Sequence, residues 1–270
     1  VYKKWRKKRQ GRNKENHKNR DSEHTPIDLH LQDFKDKIQQ TFVNSADLFI
    51  EEMKVVDQRG LLIYLSTMTD SVVVTEKVVN PLLSIEEKQA TVYSQEDWEE
   101  IGHELFSGTQ HTFIECEKEV VTSILQGYAI LYLEGMTRVL SLRVHHVEYR
   151  SLEEPSTQTV VRGPKDGFTE NLDTNLSLIR RRIKNSSLCF EAHTLGSETA
   201  TNVHIAYLDG VANKKIVEEV RSRLMSIKTH AVFESSNIEE FIVDKTFTPF
   251  PLIYNTERPD CVSAHLIEGR

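Results

Sequence analysis

Apolar residues recur along this chain in blocks whose period changes between helical and extended. Leu31, Phe34, Ile38 and Phe42 are spaced for an amphipathic helix. Leu48–Val56 and Leu61–Leu65 then read as two strands of a hairpin about Asp57-Gln58-Arg59-Gly60. Ser71–Leu83 is rich in valine and favours strand by residue type, but Val72, Thr75, Val79 and Leu82 form a helical stripe, so a helix ending near Pro81 is expected. Trp98, Ile101 and Leu105 mark a further helix that stops near Gly108. Thr112–Cys116 reads as a strand, Glu117–Gln126 as a helix, and Tyr128–Leu133 with Arg138–Val147 as a second hairpin about Glu134-Gly135.

Ser151–Thr159 is polar, contains Pro155 and lacks periodicity, which places a boundary between residues 152 and 158. Beyond it, Val160-Val161 is extended, Gly163-Pro164 breaks the strand, and Thr169 can cap a helix whose apolar face is Leu172, Leu176, Ile179 and Ile183. Phe190–Leu195 and Thr201–Leu208 alternate as strands joined at Gly196-Ser197. Ile216, Val220 and Leu224 give a helix after Asn213, and Ile238–Val243 completes a small unit. The tail, with Pro249, Pro251 and Pro259, should run extended until Val262–Ile267. The fold class expected is α/β: two small mixed subdomains, 28–152 and 158–270, joined by a short Pro-containing linker.

Charge adds a third segment. The formal net charge is -7, yet residues 1–20 carry ten Lys or Arg against Glu15 alone, leaving 24 basic and 40 acidic side chains in residues 21–270. Residues 1–27 therefore read as a basic arm with too few apolar groups to offset the entropy of ordering. A basic arm attracts any polyanion, but with only Tyr2 and Trp5 as aromatics it carries no signal for specific nucleic-acid recognition. Cys116, Cys189 and Cys261 are odd in number, widely spaced and without Cys-x-x-Cys, which argues for reduced thiols. The apolar run 124–133 is well below the ~18 residues of a membrane helix. The start at Val1 and the stop at Gly269-Arg270 suggest a piece of a longer protein.

No Gly-x-Gly-x-x-Gly, Gly-x-x-x-x-Gly-Lys, Gly-x-Ser-x-Gly or His-Glu-x-x-His is present, and nothing calls for a cofactor or a metal. His145 and His146, adjacent in an expected strand, point to opposite faces and do not chelate together. His103-Glu104 and Cys116-Glu117 have acid–base or nucleophilic groups but no partner oriented by sequence, so a structural role is the better reading. A hydrolase would need His103, Glu104, Cys116 and His193 to converge. The concentrated candidate is the turn Arg162, Gly163, Pro164, Lys165, Asp166, Gly167, Phe168 and Glu170, where glycines, basic residues and a helix start coincide. That combination can cradle an anion or carboxylate; an internally paired turn serving interdomain contact is the stronger reading. Arg180 and Arg181 join the candidate set, although Arg180–Arg182 spread about 100° apart and suit a solvated or subunit-contacting surface.

These residues also carry a resemblance. Val160–Glu170, Thr174-Asn175, Ile179–Ile183, Thr201–Asn213, Arg258-Pro259-Asp260 and His265–Arg270 together resemble the N-terminal soluble region of A subunits of the GerA family of spore germination receptors. The resemblance is concentrated in residues 150–270 and thinner over 28–150. It implies a following membrane region, residence in the inner membrane of a bacterial spore with this part facing the cytoplasm of the spore core, and B and C receptor subunits as partners. Self-association of A subunits and a small nutrient molecule are further partners it brings into view. The family brings no enzymatic residues to transfer onto this chain. The function expected is a non-enzymatic sensing and signal-coupling module; the alternative is a nutrient-binding module with ligand between the two subdomains.

Overall fold

The computed structural model describes residues 25–55, 58–86, 92, 94–144, 164, 166–244 and 251–270. The linker expected at 153–157, the basic arm up to residue 24, and His145-His146 lie outside the described residues.

Two apolar runs, Leu61–Leu65 and Ala129–Leu133, are continuous rather than alternating because their strands are buried on both faces. They are the centre of a five-stranded antiparallel sheet of order β1-β2-β4-β5-β3. Its strands are β1 (Leu48–Val55), β2 (Gln58–Leu65), β3 (His111–Ile114), β4 (Tyr128–Leu133) and β5 (Val139–Arg143). Leu61, Ile63, Leu65, Ile130 and Tyr132 face helix α1 (Leu31–Thr41) and helix α4 (Glu117–Leu125). Leu62, Tyr64, Ala129, Leu131 and Leu133 face the opposite side, covered by α2 (residues 71–86) and by α3 (Gln95–Leu105). Period-2 alternation thus splits one run of residues into two cores.

Helix α2 corrects its expected end. It is α-helical over Ser71–Val74, π-helical over Thr75–Val79 and α-helical again over Asn80–Glu86. Pro81 has no N–H and its ring clashes with the carbonyl four residues back; the wider π turn just before it lets the helix continue. The first hairpin is also tighter than expected. Gln58, Arg59 and Gly60, read as turn, pair with Val55, Lys54 and Met53 as strand.

The C-terminal unit is built on a two-stranded antiparallel sheet of β6 (Leu188–Leu195) and β7 (Thr201–Leu208), turned at Gly196 with φ +85°. Leu188, Phe190 and Leu208 pack on Leu176 and Ile179 of α5 (Leu172–Arg182), on Ile183 at its C-cap and on Leu266 of α8 (Pro259–Ile267). Leu195, Val203 and Ile205 pack instead against α6 (Lys214–Ser226) and α7 (Ser235–Ile242). Helix α5 starts later than expected. Asn171, not Thr169, caps it by accepting from the Thr174 N–H, while Thr169 Oγ1 accepts from the Asn171 N–H. Pro259 opens α8 at a first-turn position where a missing N–H costs nothing.

Candidate functional site: the junction between the units

Helix α1 ends in a turn that carries backbone strain. Phe42 is fully buried, and the next two residues, Val43 and Asn44, have φ of 54° and 50°. Left-handed backbone is rare for a β-branched residue, so the fold holds this turn against a local cost. The turn delivers Ser45, Ala46 and Asp47 onto β6: the Ala46 N–H donates to the Phe190 carbonyl at 2.8 Å and the Phe190 N–H donates to Ser45 Oγ at 2.9 Å. Cys189 Sγ contacts the Val43 carbonyl at 3.6 Å.

Across this seam runs a buried ion pair. Arg180, 0% exposed on α5, donates through Nε to Asp47 Oδ2 at 3.0 Å and through Nη2 to Asp47 Oδ1 at 2.7 Å. Nη2 also reaches Ser45 Oγ at 3.2 Å, and Nη1 reaches the carbonyls of Leu188 at 3.0 Å and Asn185 at 3.3 Å. The guanidinium carbon sits 4.8 Å from the centre of the Phe190 ring. Asp47, 4% exposed, is held in its own unit by the hydroxyls of Ser45 at 2.6 Å and Thr67 at 2.8 Å. All five guanidinium N–H groups and both carboxylate oxygens are engaged, the condition under which a buried pair is retained rather than expelled. A saturated site of this kind fastens the two units; it has no lone pair or donor left to take up a ligand.

Nearby groups feel the seam. Burial pushes the Cys189 thiol pKa up, with the Tyr207 hydroxyl opposing. Burial holds the His204 pKa below the usual imidazole range, opposed by the charges of Asp173 and Asp47, and its Nδ1 is buried without a hydrogen-bond partner. On the face of β6 that Cys189 shares, opposite Phe190, Glu191 is gripped by Arg221 at 2.8 and 2.6 Å and by the Tyr207 hydroxyl at 2.7 Å, which lowers its pKa.

The turn singled out from sequence is partly visible. Arg162, Gly163 and Lys165 lie outside the described residues. Pro164 and Glu170 are exposed, Gly167 is buried and Phe168 packs on the α5 core. Asp166 accepts from Arg182 Nη2 at 2.6 Å, and the Phe168 N–H donates to the Glu257 carbonyl at 2.8 Å. The turn is therefore clasped to the end of α5 and to the segment before α8. Of the arginines expected on a solvated or subunit-contacting surface, Arg181 is exposed, whereas Arg180, also a candidate for interdomain coupling, is the most buried charge among the described residues. Ser45, Asp47 and Thr67 were missed, and Arg182 was read without its partner Asp166. The available signal was phase: Arg180 is four residues beyond Leu176 and eight beyond Leu172, on the apolar stripe itself.

The other chemical candidates separate. His103 is on α3, Cys116 precedes α4, and His193 belongs to β6 in the C-terminal unit. Among the described residues no group of three or more His, Cys, Asp or Glu is placed to hold a metal. A cavity of about 710 Å³, lined by Pro26, Gln95, Glu96, Glu115, Thr137 and Arg138 among others, belongs wholly to the N-terminal unit. No helix among the described residues is long and apolar enough to cross a membrane.

Residues 36–270 match the model of a family described as Bacillus/Clostridium GerA spore germination protein, so the match reaches well into the N-terminal unit. Spore germination protein KA of Bacillus subtilis is 37% identical over 233 residues, covering 84% of this chain and 42% of that protein. Spore germination protein B1 of the same organism is 34% identical over 246 residues, covering 90% of this chain and 50% of that one. The chain thus spans about half the length of the relatives it matches. The crystal structure of the N-terminal domain of the A subunit of the Bacillus megaterium spore germinant receptor GerK3 is similar with a TM-score of 0.69 and 30% identity, covering 91% of each chain.

Proposed function

This chain belongs to the GerA family of spore germination proteins, and from that membership we propose that it works as the N-terminal sensing and coupling module of a germinant receptor A subunit. In this reading it is not an enzyme. It faces the cytoplasm of the spore core beside the inner membrane, and B and C subunits of the same receptor are its partners. Its task is to pass a change in one part of the receptor to another when nutrient is sensed.

The observation that carries the reading is the saturated Arg180–Asp47 junction. A fully satisfied buried pair has one good geometry and few poor ones, so the two units move as linked bodies or part in a discrete step. Helix α5 joins that seam to the clasped turn, since Arg180 reaches Asp47 and Arg182 reaches Asp166 from the same helix end. Replacing Arg162, Lys165 or Arg182 by alanine in the complete receptor should impair germination while the isolated chain keeps its circular dichroism spectrum. Normal germination from all three variants would sink the role of the turn.

A further inference from the structure

Phe113 of β3 packs directly over Gly102 of α3, filling the place of a side chain: a Cβ there would lie 2.8 Å from Phe113 Cζ. The next residue, His103, is thereby brought beside His111, with ring centroids 5.0 Å apart and His103 Nδ1 2.8 Å from His111 Nε2. His111 Nδ1 lies 2.8 Å from the Thr109 carbonyl. A carbonyl oxygen only accepts, so His111 carries its proton on Nδ1 and turns the Nε2 lone pair toward His103. Fixing one ring nitrogen to a backbone carbonyl so that the other is free to ligate is the outer-shell device of metal-bound histidines.

We propose that His103 Nδ1 and His111 Nε2 form a two-nitrogen site for a divalent transition ion of the zinc class, with solvent completing its coordination. In the empty state His103 Nδ1–H donates to His111 Nε2. Moving that proton to His103 Nε2, a tautomer change with no net charge, frees both lone pairs, which face each other nearly head-on. A tetrahedral ion with Zn–N bonds of about 2.0–2.1 Å sets the nitrogens ~3.3 Å apart, so to admit it the rings separate by roughly half an ångström and each tilts by roughly 35° from the line joining the nitrogens. His103 is exposed and His111 half-buried, which leaves room for water ligands. Glu100, three residues before His103 on α3, is exposed and adds negative potential that favours a cation. Two imidazoles select zinc, nickel or copper over calcium or magnesium. Such an ion would tie α3 to the edge strand β3.

Titration of the whole chain with zinc chloride, followed by calorimetry and by imidazole nitrogen NMR, tests the site. The expected result is one equivalent bound with shifts at His103 and His111, and loss of that equivalent in both His103→Gln and His111→Gln. Binding should weaken as pH falls, since protons compete for the same nitrogens. Because His103 is exposed, His103→Gln should keep the melting temperature of the metal-free chain, and zinc should raise that temperature only in the unaltered chain. Absence of binding to the unaltered chain overturns the proposal. So does an unchanged equivalent in the folded His103→Gln variant, which would place the zinc on other histidines.

Discussion

Replacing Arg180 by methionine removes five hydrogen bonds and leaves the Asp47 carboxylate, 4% exposed, with the hydroxyls of Ser45 and Thr67 alone. Breaking one side of a buried ion pair costs about 3–5 kcal/mol, because the surviving charge stays out of water without its partner. That is a large part of the ~5–15 kcal/mol that holds a typical domain folded. Asp47→Leu should cost a similar amount by stranding the guanidinium. The double variant strands neither charge, so its loss should fall short of the sum of the two by about 0.5–3 kcal/mol, the coupling expected of groups in contact. Urea unfolding read by tryptophan fluorescence and by far-ultraviolet circular dichroism makes the measurement. Trp98 is fully buried in the N-terminal unit and the chain's second tryptophan, Trp5, lies in the basic arm, so fluorescence follows the N-terminal unit and circular dichroism follows both. The two curves should coincide for the unaltered chain and separate for Arg180→Met as the C-terminal unit comes loose first. A loss below about 1 kcal/mol, the range of an exposed pair, or strict additivity in the double variant would refute the reasoning.

Other perturbations test the fold around the junction. Gly60→Ala places a Cβ 2.6 Å from the Tyr132 carbonyl oxygen; because that atom is backbone, the loss should lie near 3 kcal/mol, about the upper end for overpacking, as read from chemical denaturation. Val43→Gly should raise the melting temperature, since relief of a left-handed valine gains about 1–2 kcal/mol while the added chain entropy takes back roughly 0.5–1. His204 has a folded pKa below its unfolded value of about 6.5, so between those two values the unfolded chain binds the extra proton. Stability should therefore fall as pH drops from about 6.5 through the depressed folded pKa, and His204→Leu should flatten that slope in a pH series of melting temperatures.

The sequence carried the layered core well because the signal there is local. Leu61–Leu65 and Ala129–Leu133 announce buried strands, and the stripe Leu172, Leu176, Ile179 and Ile183 announces the covered face of α5. Where it failed, the deciding contact was distant or the rule had a local exception. Pro81 ordinarily ends a helix, and only the π segment before it lets α2 run on to Glu86. Arg180 was read with Arg181 and Arg182 as a solvated or subunit-contacting set because consecutive residues spread about 100° apart around a helix and cannot share one face. Its partner Asp47 lies 133 residues away in a loop between α1 and β1, so nothing local identified the pair. Likewise His103 and His111, eight residues apart across a turn, meet only because Gly102 lets α3 close on Phe113.

The junction's role in signalling is tested most directly in spores whose complete receptor carries Asp47→Asn or Arg180→Lys, with receptor level matched by immunoblot. Asp47→Asn removes the charge that Arg180 faces and Arg180→Lys cannot reproduce its two-nitrogen grip on Asp47, so both weaken the linkage, and matched receptor levels exclude loss of the fold as the cause. Nutrient-triggered germination should slow roughly tenfold or more, the effect on a rate of about 1.4 kcal/mol lost at the limiting step. Germination at the unaltered rate, from spores holding equal amounts of either variant receptor, would contradict the account.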